Sequence, residues 1–208
     1  MRLFLSILIC ITISLTTFSQ NKDAQALRWF NQQTTMHGFS NVISNSTLYV
    51  SAGIPIVMGI TALSTQNDKL LKETCAIIVG MGINTVIAYG MKYTINRPRP
   101  YETYPDYIIN IADEGSPAMP SGHTSIAFAS ATSLCLHYPK WYVIAPSALW
   151  ATSVAYSRMN IGVHYPTDVL AGAALGAGSA YLSYRLNKMI WKKYDKKKQR
   201  SNASTVVF

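Results

Sequence analysis

The sequence contains few charged residues. Asp, Glu, Lys and Arg make up 13% of its 208 residues, against about 25% in an average soluble domain. This scarcity excludes a disordered tail, a coiled coil and an ordinary solvated surface. Acidic residues are scarcer than basic ones, 9 against 18, and the net charge is +9. A basic balance is typical of proteins that bind nucleic acid, an anionic membrane surface or a phosphorylated substrate, and the low charge density argues against nucleic acid.

Cysteine is also rare. The three cysteines, Cys10, Cys75 and Cys135, all lie inside apolar runs. Disulfide frameworks and cysteine metal sites have regular spacings in polar, loop-rich sequence, so the sequence indicates neither.

The first 19 residues have the pattern of an export signal. Arg2 is followed by the apolar run Leu3–Leu15, and small residues close the segment. We predict cleavage after Ser19, and an uncleaved first membrane helix is the alternative. In both cases the rest of the chain is delivered outward, and we assign residues 20–48 to an extracytoplasmic N-terminal segment.

Most of the remaining chain consists of long uncharged stretches. They are Gly38–Asn67, Thr74–Met91, Thr124–Pro139, Trp141–Ser157 and Val169–Tyr184. Each supplies a helix near the ~17–25 residues that cross a bilayer, although a buried core helix of a soluble protein has the same pattern. We therefore predict an all-α, polytopic membrane helical bundle over residues 49–186, with about five spans after a signal peptide, or six if it is uncleaved. Within it, Gly172 and Gly176 form a small-xxx-small pair that lets two helices approach closely.

Alternating the spans across the membrane puts two loops on the outer side, residues 91–123 and 158–168. The same count puts the basic tail, residues 187–208, on the cytoplasmic side. Lys and Arg are enriched in cytoplasmic segments, so the tail supports this orientation. A solvated basic extension or a nucleic-acid contact is its alternative interpretation. The outer loops also contain the unusual polar residues of the sequence, which predicts an active site at the extracytoplasmic end.

The last outer loop combines a histidine with a carboxylate. His164 precedes Asp168 by four residues, and Pro166 lies between them. Because proline suits the first turn of a helix, Asp168 should lie in that turn and reach back toward the imidazole. A carboxylate bonded to one ring nitrogen leaves the other as a free lone pair, which suits a nucleophile or a general base. A plain loop histidine beside a helix-terminal charge is the alternative.

The segment Pro120–Thr124 has the composition of an anion cradle. Ser121 is suited to cap a helix that begins near His123, and Gly122 lets the backbone approach a ligand. Free N–H groups at a helix start favour bound phosphate. An ordinary turn with a capping serine is the alternative.

An earlier segment of the same outer loop supplies the cations Lys92, Arg97 and Arg99, and prolines on either side of Arg99 stiffen it. Arginine presents a planar fork that matches phosphate oxygens. The alternative is an interfacial cluster in contact with lipid headgroups, above all for Arg97.

Together the segments form a specific pattern: Lys, six residues, Arg-Pro; then Pro-Ser-Gly-His; then Ser-Arg, five residues, His, three residues, Asp. This pattern resembles the signature of the type 2 phosphatidic acid phosphatase family, which is shared with bacterial non-specific acid phosphatases and vanadium haloperoxidases. Every signature position is matched in the family's order: Lys92, Arg99, Pro100, Pro120–His123, Ser157, Arg158, His164 and Asp168. The motifs span residues 92–168, and residues 20–48 lie outside the resemblance.

The resemblance implies a role for each matched residue. His164 resembles the nucleophile that becomes phosphohistidine, Asp168 the residue that orients it, and His123 the general acid that protonates the leaving oxygen. The implied phosphate-binding residues are Lys92, Arg99, Ser121, Gly122 and Arg158. Because fixed cations neutralise charge on the phosphoryl oxygens, we expect a metal-independent phosphatase without a cofactor.

The export signal and the motifs are together similar to those of bacterial envelope enzymes. We expect a phosphoric monoester hydrolase in the bacterial inner membrane, with its active site facing the periplasm. The substrate implied is a membrane lipid phosphate: lipid A, phosphatidylglycerol phosphate or phosphatidate, with lipid A the leading candidate. The expected partners are this lipid and the bilayer, with no nucleic acid, and the sequence leaves the oligomeric state open.

Four other functions fit parts of the pattern. An undecaprenyl pyrophosphate phosphatase or a soluble periplasmic non-specific acid phosphatase would use the same catalytic residues. A vanadium haloperoxidase would share the cation cage, although the chain is short for that branch. A non-enzymatic membrane scaffold or transporter component would keep the helices, but it gives no reason for the spacing of His164 and Asp168.

Overall fold

The computed structural model describes the backbone of residues 22–205 and the side chains of residues 22–194. The predicted export signal, residues 1–19, lies outside the described residues. Within residues 22–205 every regular element is a helix, which confirms the all-α prediction.

Long helices form a bundle, and short ones connect them at one end. The elements are α1 (residues 22–31), a 3₁₀ turn (Thr34–Met36), α2 (His37–Ser64), α3 (Asp68–Ile95), α4 (Pro100–Thr103), α5 (Gly122–His137), α6 (Trp141–Asn160) and α7 (Pro166–Thr205). Helix α5 lies at the centre, in contact with α2, α3, α6 and α7. An irregular segment, residues 104–121, joins α4 to α5.

Local signals fix the helix ends near the polar motifs. Helix α3 ends at Asn96, which adopts a left-handed conformation with φ 48°, a common way to close a helix. The hydroxyl of Ser121 accepts a hydrogen bond from the backbone N–H of Thr124 and so caps α5. Helix α7 begins at Pro166, as its sequence predicted.

Two helices extend past residues 49 and 186, the predicted boundaries of the bundle, which stay predictions. Helix α2 begins at His37, well before residue 49, because the uncharged run that forms it already starts at Gly38. Helix α7 continues to Thr205, so the predicted start of the tail at residue 187 lies inside a helix. Lys, Arg and Gln, which fill that stretch, are good helix formers.

Helices α5 and α7 touch through their backbones. A Cβ atom added at Gly176 would lie 2.1 Å from the carbonyl oxygen of Ser125, and one added at Gly172 would lie 2.6 Å from that of Ser121. Both distances are far inside van der Waals contact. The predicted close approach at this glycine pair is therefore confirmed, and it joins the start of α5 firmly to the start of α7.

The bundle exposes many large apolar side chains and buries many small polar ones. Leu48 and Leu63 of α2 and Val86 of α3 are among its most exposed large side chains, whereas Ser44 and Thr47 of α2 are buried. A soluble protein has the opposite arrangement, and a helical membrane protein buries small polar residues between its helices.

Two segments, Thr34–Ser64 and Asp68–Thr103, are long and apolar enough to cross a membrane, and their most apolar windows are only 22% and 33% buried. A soluble core helix would be mostly buried. The structure thus favours a membrane environment, and the number of five spans stays a prediction.

The backbone contact predicts that Gly176→Ala lowers the thermal stability of the detergent-solubilised protein. The added methyl group must push α7 away from Ser125, and overpacking of this kind costs about 1–3 kcal/mol. The matched control is Gly178→Ala in the same helix, because nothing lies within 4 Å of a Cβ at Gly178. That variant should be as stable as the wild type or more so, since alanine favours the helix. Equal melting temperatures for both variants would contradict the close contact.

Candidate active site

The three motifs meet around one cavity of about 350 Å³. Helix ends deliver the motif residues to it: Lys92 from the end of α3, His123 from the start of α5, and His164 from the loop before α7. Alternating helix directions bring these ends to the same side of the bundle. Five predicted site residues line the cavity: Lys92, Arg99, Gly122, His123 and His164.

The other three predicted residues lie behind the cavity wall. Arg158 and Asp168 are 2% and 0% exposed, and both contact residues of the wall. The hydroxyl of Ser121 is occupied in the cap of α5, where it also accepts a hydrogen bond from Thr124 Oγ1 at 2.9 Å. Ser121 therefore caps α5, as the alternative interpretation of this segment expected. A contact between Ser121 and phosphate stays a prediction.

His164 is buried beside the cations. Its Nε2 lies 3.3 Å from Arg99 Nη1, on the side of the ring that faces the cation cluster. Burial, and then the positive charges of Arg158 and Arg99, hold the pKa of His164 well below its ordinary value. The low pKa favours the neutral imidazole, in which the lone pair of Nε2 faces the donor Arg99 Nη1.

Asp168 faces the other ring nitrogen. Its Oδ2 lies 3.6 Å from His164 Nδ1, which is longer than a hydrogen bond. The two groups are neighbours, as predicted, but the predicted hydrogen bond between the carboxylate and the imidazole is not formed. Oδ2 accepts a hydrogen bond from the backbone N–H of Tyr165 at 2.9 Å, and Nδ1 has no hydrogen-bond partner among the described residues.

One interpretation of its motif placed Arg97 in contact with lipid headgroups, but the structure places its side chain inside the protein. Its side chain is only 10% exposed, and it forms ion pairs with Asp168 at 2.6 Å and with Asp23 at 2.8 Å. The guanidinium also lies over the ring of Tyr165, 3.9 Å from its centroid. Arg97 therefore belongs to the buried polar network on the far side of Asp168 from His164.

The cations of the cavity are held in place by backbone carbonyls. Arg99 donates to the carbonyl oxygens of Ser116 at 2.8 Å and Val163 at 2.9 Å. Lys92 Nζ donates to the carbonyl oxygen of Pro117 at 2.5 Å. These bonds fix the positive groups before any ligand arrives, as phosphoryl transfer requires.

Glu114 is the site residue that sequence reasoning missed. Its carboxylate binds Arg158 and lies 3.7 Å from Arg99 Nη2 and 3.9 Å from His123 Nδ1. Burial alone would raise the pKa of Glu114, but the charge and hydrogen bond of Arg158 outweigh it and lower the pKa to about 2. Glu114 belongs to no motif, and the only sequence signal is that it is the last acidic residue before Pro120.

His123 is the most accessible of the candidate catalytic side chains. It is 35% exposed, against 1% for His164 and 0% for Asp168. This position at the edge of the cavity suits proton exchange with a leaving group or with water. Among the side chains of residues 22–194, no group of three or more His, Cys, Asp or Glu is arranged to hold a metal ion.

Comparison with known proteins agrees with the motifs. The model of the PAP2 superfamily matches residues 73–192. An undecaprenyl-diphosphatase of Sulfolobus acidocaldarius is 32% identical over 162 residues, which are 76% of this chain and 73% of that protein. A lipid A 1-phosphatase of Porphyromonas gingivalis is 28% identical over 189 residues, which are 88% of this chain but only 38% of that protein.

Two crystal structures share the fold. LpxE of Aquifex aeolicus superposes with a TM-score of 0.68 and 26% identity over 77% of this chain and 93% of that one. A transmembrane PAP2 type phosphatidylglycerolphosphate phosphatase of Bacillus subtilis superposes with a TM-score of 0.71 over 91% of this chain and 96% of that one. The sequence identity to the latter is 24%, so this similarity concerns the fold alone.

The matched residues 73–192 cover more than half of the chain and contain all three motifs. The matched residues do not include α1 and α2. On this match and on the geometry of the cavity, the chain belongs to the PAP2 superfamily, as its motifs predicted, and it is an enzyme of the phosphatase class.

Proposed function

We propose that this enzyme hydrolyses a phosphate monoester of a membrane lipid through a phosphohistidine intermediate on His164. The observation that carries the proposal is the buried imidazole of His164, whose Nε2 lies 3.3 Å from Arg99 Nη1. A neutral nitrogen among fixed cations both attacks phosphorus and stands where the phosphoryl oxygens need positive charge.

The first step forms a bond from His164 Nε2 to phosphorus and breaks the bond from phosphorus to the lipid oxygen. His123 donates the proton that the leaving oxygen needs. Lys92 and Arg99 neutralise the phosphoryl oxygens, so that positioning and charge, rather than a metal ion, stabilise the transition state. The dianionic phosphate itself favours a protonated His123, since it adds negative charge to the cavity.

The second step releases phosphate. Water attacks phosphorus, the bond to His164 Nε2 breaks, and His123 takes the proton from the water. Asp168 stabilises the imidazole throughout, because its carboxylate faces Nδ1 at 3.6 Å and favours a proton on that nitrogen.

The cavity also reaches the apolar outer surface of the bundle. Leu48 of α2 and Tyr89 of α3 line it and are 68% and 53% exposed. A lipid phosphate can therefore enter the cavity laterally between α2 and α3 while its hydrocarbon tails stay in the bilayer. The exposed apolar surface argues against a soluble periplasmic acid phosphatase.

Lipid A is the leading substrate. The similarity to the lipid A 1-phosphatase, which extends over 88% of this chain, supports it. Undecaprenyl diphosphate is the second candidate, because the undecaprenyl-diphosphatase is matched over most of both proteins. Phosphate release by detergent-purified protein from lipid A, glycerophospholipid and polyprenyl phosphates distinguishes the candidates.

We further propose a multi-pass protein of the bacterial inner membrane whose active site faces the periplasm. At the end of the bundle opposite the active site, four lysines line a second cavity: Lys69, Lys72, Lys188 and Lys192. Positive residues of this kind are enriched on the cytoplasmic side, which supports the orientation.

His164→Ala should reduce phosphate release from every substrate to background, because no other group replaces the attacking nitrogen. Phosphate release and the folded fraction, measured by size-exclusion chromatography in detergent, are compared with those of the wild type. Near-normal release by the folded variant would contradict the nucleophile assignment.

His123→Ala should slow turnover of a lipid phosphate by about 10²–10⁴-fold but spare phosphorylation by p-nitrophenyl phosphate. The nitrophenolate leaves without a proton, whereas the second step still needs a base. We therefore expect a rapid burst of nitrophenol, equal to the amount of enzyme, followed by slow turnover. An equal loss of the first step with both substrates would count against the acid role.

Glu114→Gln should bind vanadate, a phosphate analogue, more tightly than the wild type while being less stable at neutral pH. The carboxylate competes with an anion for Arg158 and Arg99, but its loss leaves Arg158 without a counter-charge, at a cost of about 1–3 kcal/mol. Because folding lowers the pKa of Glu114 to about 2, from ~4.3 in unfolded chains, its contribution to stability is complete above about pH 5 and is lost toward pH 2.

The stability deficit of Glu114→Gln should therefore shrink as the pH falls. Melting temperatures across pH and vanadate inhibition constants measure the two effects. Asp113→Asn is the matched control, since Asp113 is an exposed acid in the same segment that pairs with Asn110. Unchanged inhibition in Glu114→Gln would show that Glu114 does not compete with the anion.

A further inference from the structure

Arg97 is the one cation of its motif that takes no part in lining the cavity. Its Nη1 donates to Asp168 Oδ1 at 2.6 Å and to Thr167 Oγ1 at 2.7 Å, and its Nη2 donates to Asp23 Oδ2 at 2.8 Å. All of these partners are in the buried network behind His164. A guanidinium that donates three hydrogen bonds to defined partners is part of an ordered polar network rather than a solvated surface charge.

The contact with Arg97 fixes the orientation of the Asp168 carboxylate relative to the imidazole. Oδ1 is held by Arg97, and Oδ2 is thereby directed to the backbone N–H of Tyr165 and to His164 Nδ1. Without Arg97, a completely buried carboxylate would lose its only ion-pair partner at hydrogen-bond distance among the described residues. It would then rotate or take up a proton.

Asp23 fixes Arg97 in turn and joins it to α7. Its Oδ1 accepts a hydrogen bond from the backbone N–H of Thr167 at 3.1 Å, and its Oδ2 accepts from the hydroxyl of Thr167. The N–H groups of a first helical turn have no partner within the helix. Asp23 therefore acts as a cap for α7 that is supplied from a distant part of the chain.

Helix α1, which carries Asp23, is anchored on the loops of the active site. Leu27 packs with Ile108 and Tyr165 in a buried apolar cluster. The side-chain amide of Asn31 donates to the carbonyl oxygens of Ile109 and Asn160, both at 2.9 Å. Asp23 is thus held at a defined place, although α1 lies outside the residues that the family model matches.

We propose that Asp23 and Arg97 are positioning residues for the nucleophile: Asp23 holds Arg97, and Arg97 holds Asp168 with Oδ2 toward His164. The inference rests on the proposed role of His164. It extends the active site to α1, whose residues the motifs do not include. Neither residue touches the substrate, so both act on the rate of the chemical step rather than on binding.

The experiment compares kcat and KM of Arg97→Ala, Arg97→Lys and Asp23→Asn in detergent, with lipid A and with p-nitrophenyl phosphate. We expect Arg97→Ala to lower kcat by roughly 100-fold, the effect of misplacing a reacting group by about 1 Å, with KM changed less than about threefold. Arg97→Lys should recover part of the loss, because lysine is a point charge and holds one carboxylate at a time. Asp23→Asn should lower kcat by roughly tenfold, since it leaves Arg97 and Asp168 paired.

Two comparisons separate positioning from a general loss of structure. Arg28→Ala is the matched control, because Arg28 is an exposed arginine of α1 that forms a cation–π contact with Tyr107; it should retain wild-type kcat. The double variant Asp23→Asn/Arg97→Ala should be no slower than Arg97→Ala alone, since residues that act as one unit are not additive. Additive losses, or equal losses in Arg28→Ala, would overturn the proposal.

The His164→Ala variant in the same assay separates this inference from the function on which it rests. If His164→Ala is inactive but Arg97→Ala has wild-type kcat, the positioning role is wrong and the nucleophile stands. If His164→Ala is active, the proposed mechanism itself fails. Should Arg97→Ala not fold, wild-type kcat in both Arg97→Lys and Asp23→Asn would still overturn the positioning role.

Discussion

The arrangement of this active site depends on the burial of Arg99 and Arg158, the two largest side chains that are fully buried in the described part of the chain. A buried guanidinium is stable only when acceptors replace its water. Ser116, Val163, Ser44 and Glu114 supply these acceptors. Because two of the four belong to the irregular segment 104–121, the cations shape that segment as much as it holds them. The same groups that would neutralise a phosphate thus give the longest loop within residues 22–205 its conformation.

Charge alternates through the site from one side to the other. Asp168 lies between Arg97 and His164, while Glu114 lies between Arg158 and His123. Each carboxylate therefore lies between an arginine and a histidine with a proposed catalytic role. In a region where so few acidic residues occur, this placement limits repulsion within the cation cluster without filling the cavity with negative charge.

The long helices and the meeting of the three motifs could be predicted from the sequence. Uncharged runs predict the long helices, and motifs at the ends of neighbouring helices meet at one side of the bundle, as Lys92, His123 and His164 do. Asp23 and Glu114 could not be predicted, because their partners lie 74 and 44 residues away and no periodicity or motif links them.

The contact of Gly172 and Gly176 with α5 has a consequence for how the enzyme admits a lipid. Helix α5 carries one histidine of the site and α7 follows directly on the other, and no methyl group fits between the two backbones. These helices therefore behave as a single rigid block on which both histidines are mounted. The opposite wall of the cavity consists of α2, α3 and the segment 104–121, so a displacement of that wall would leave the spacing of the two histidines unchanged.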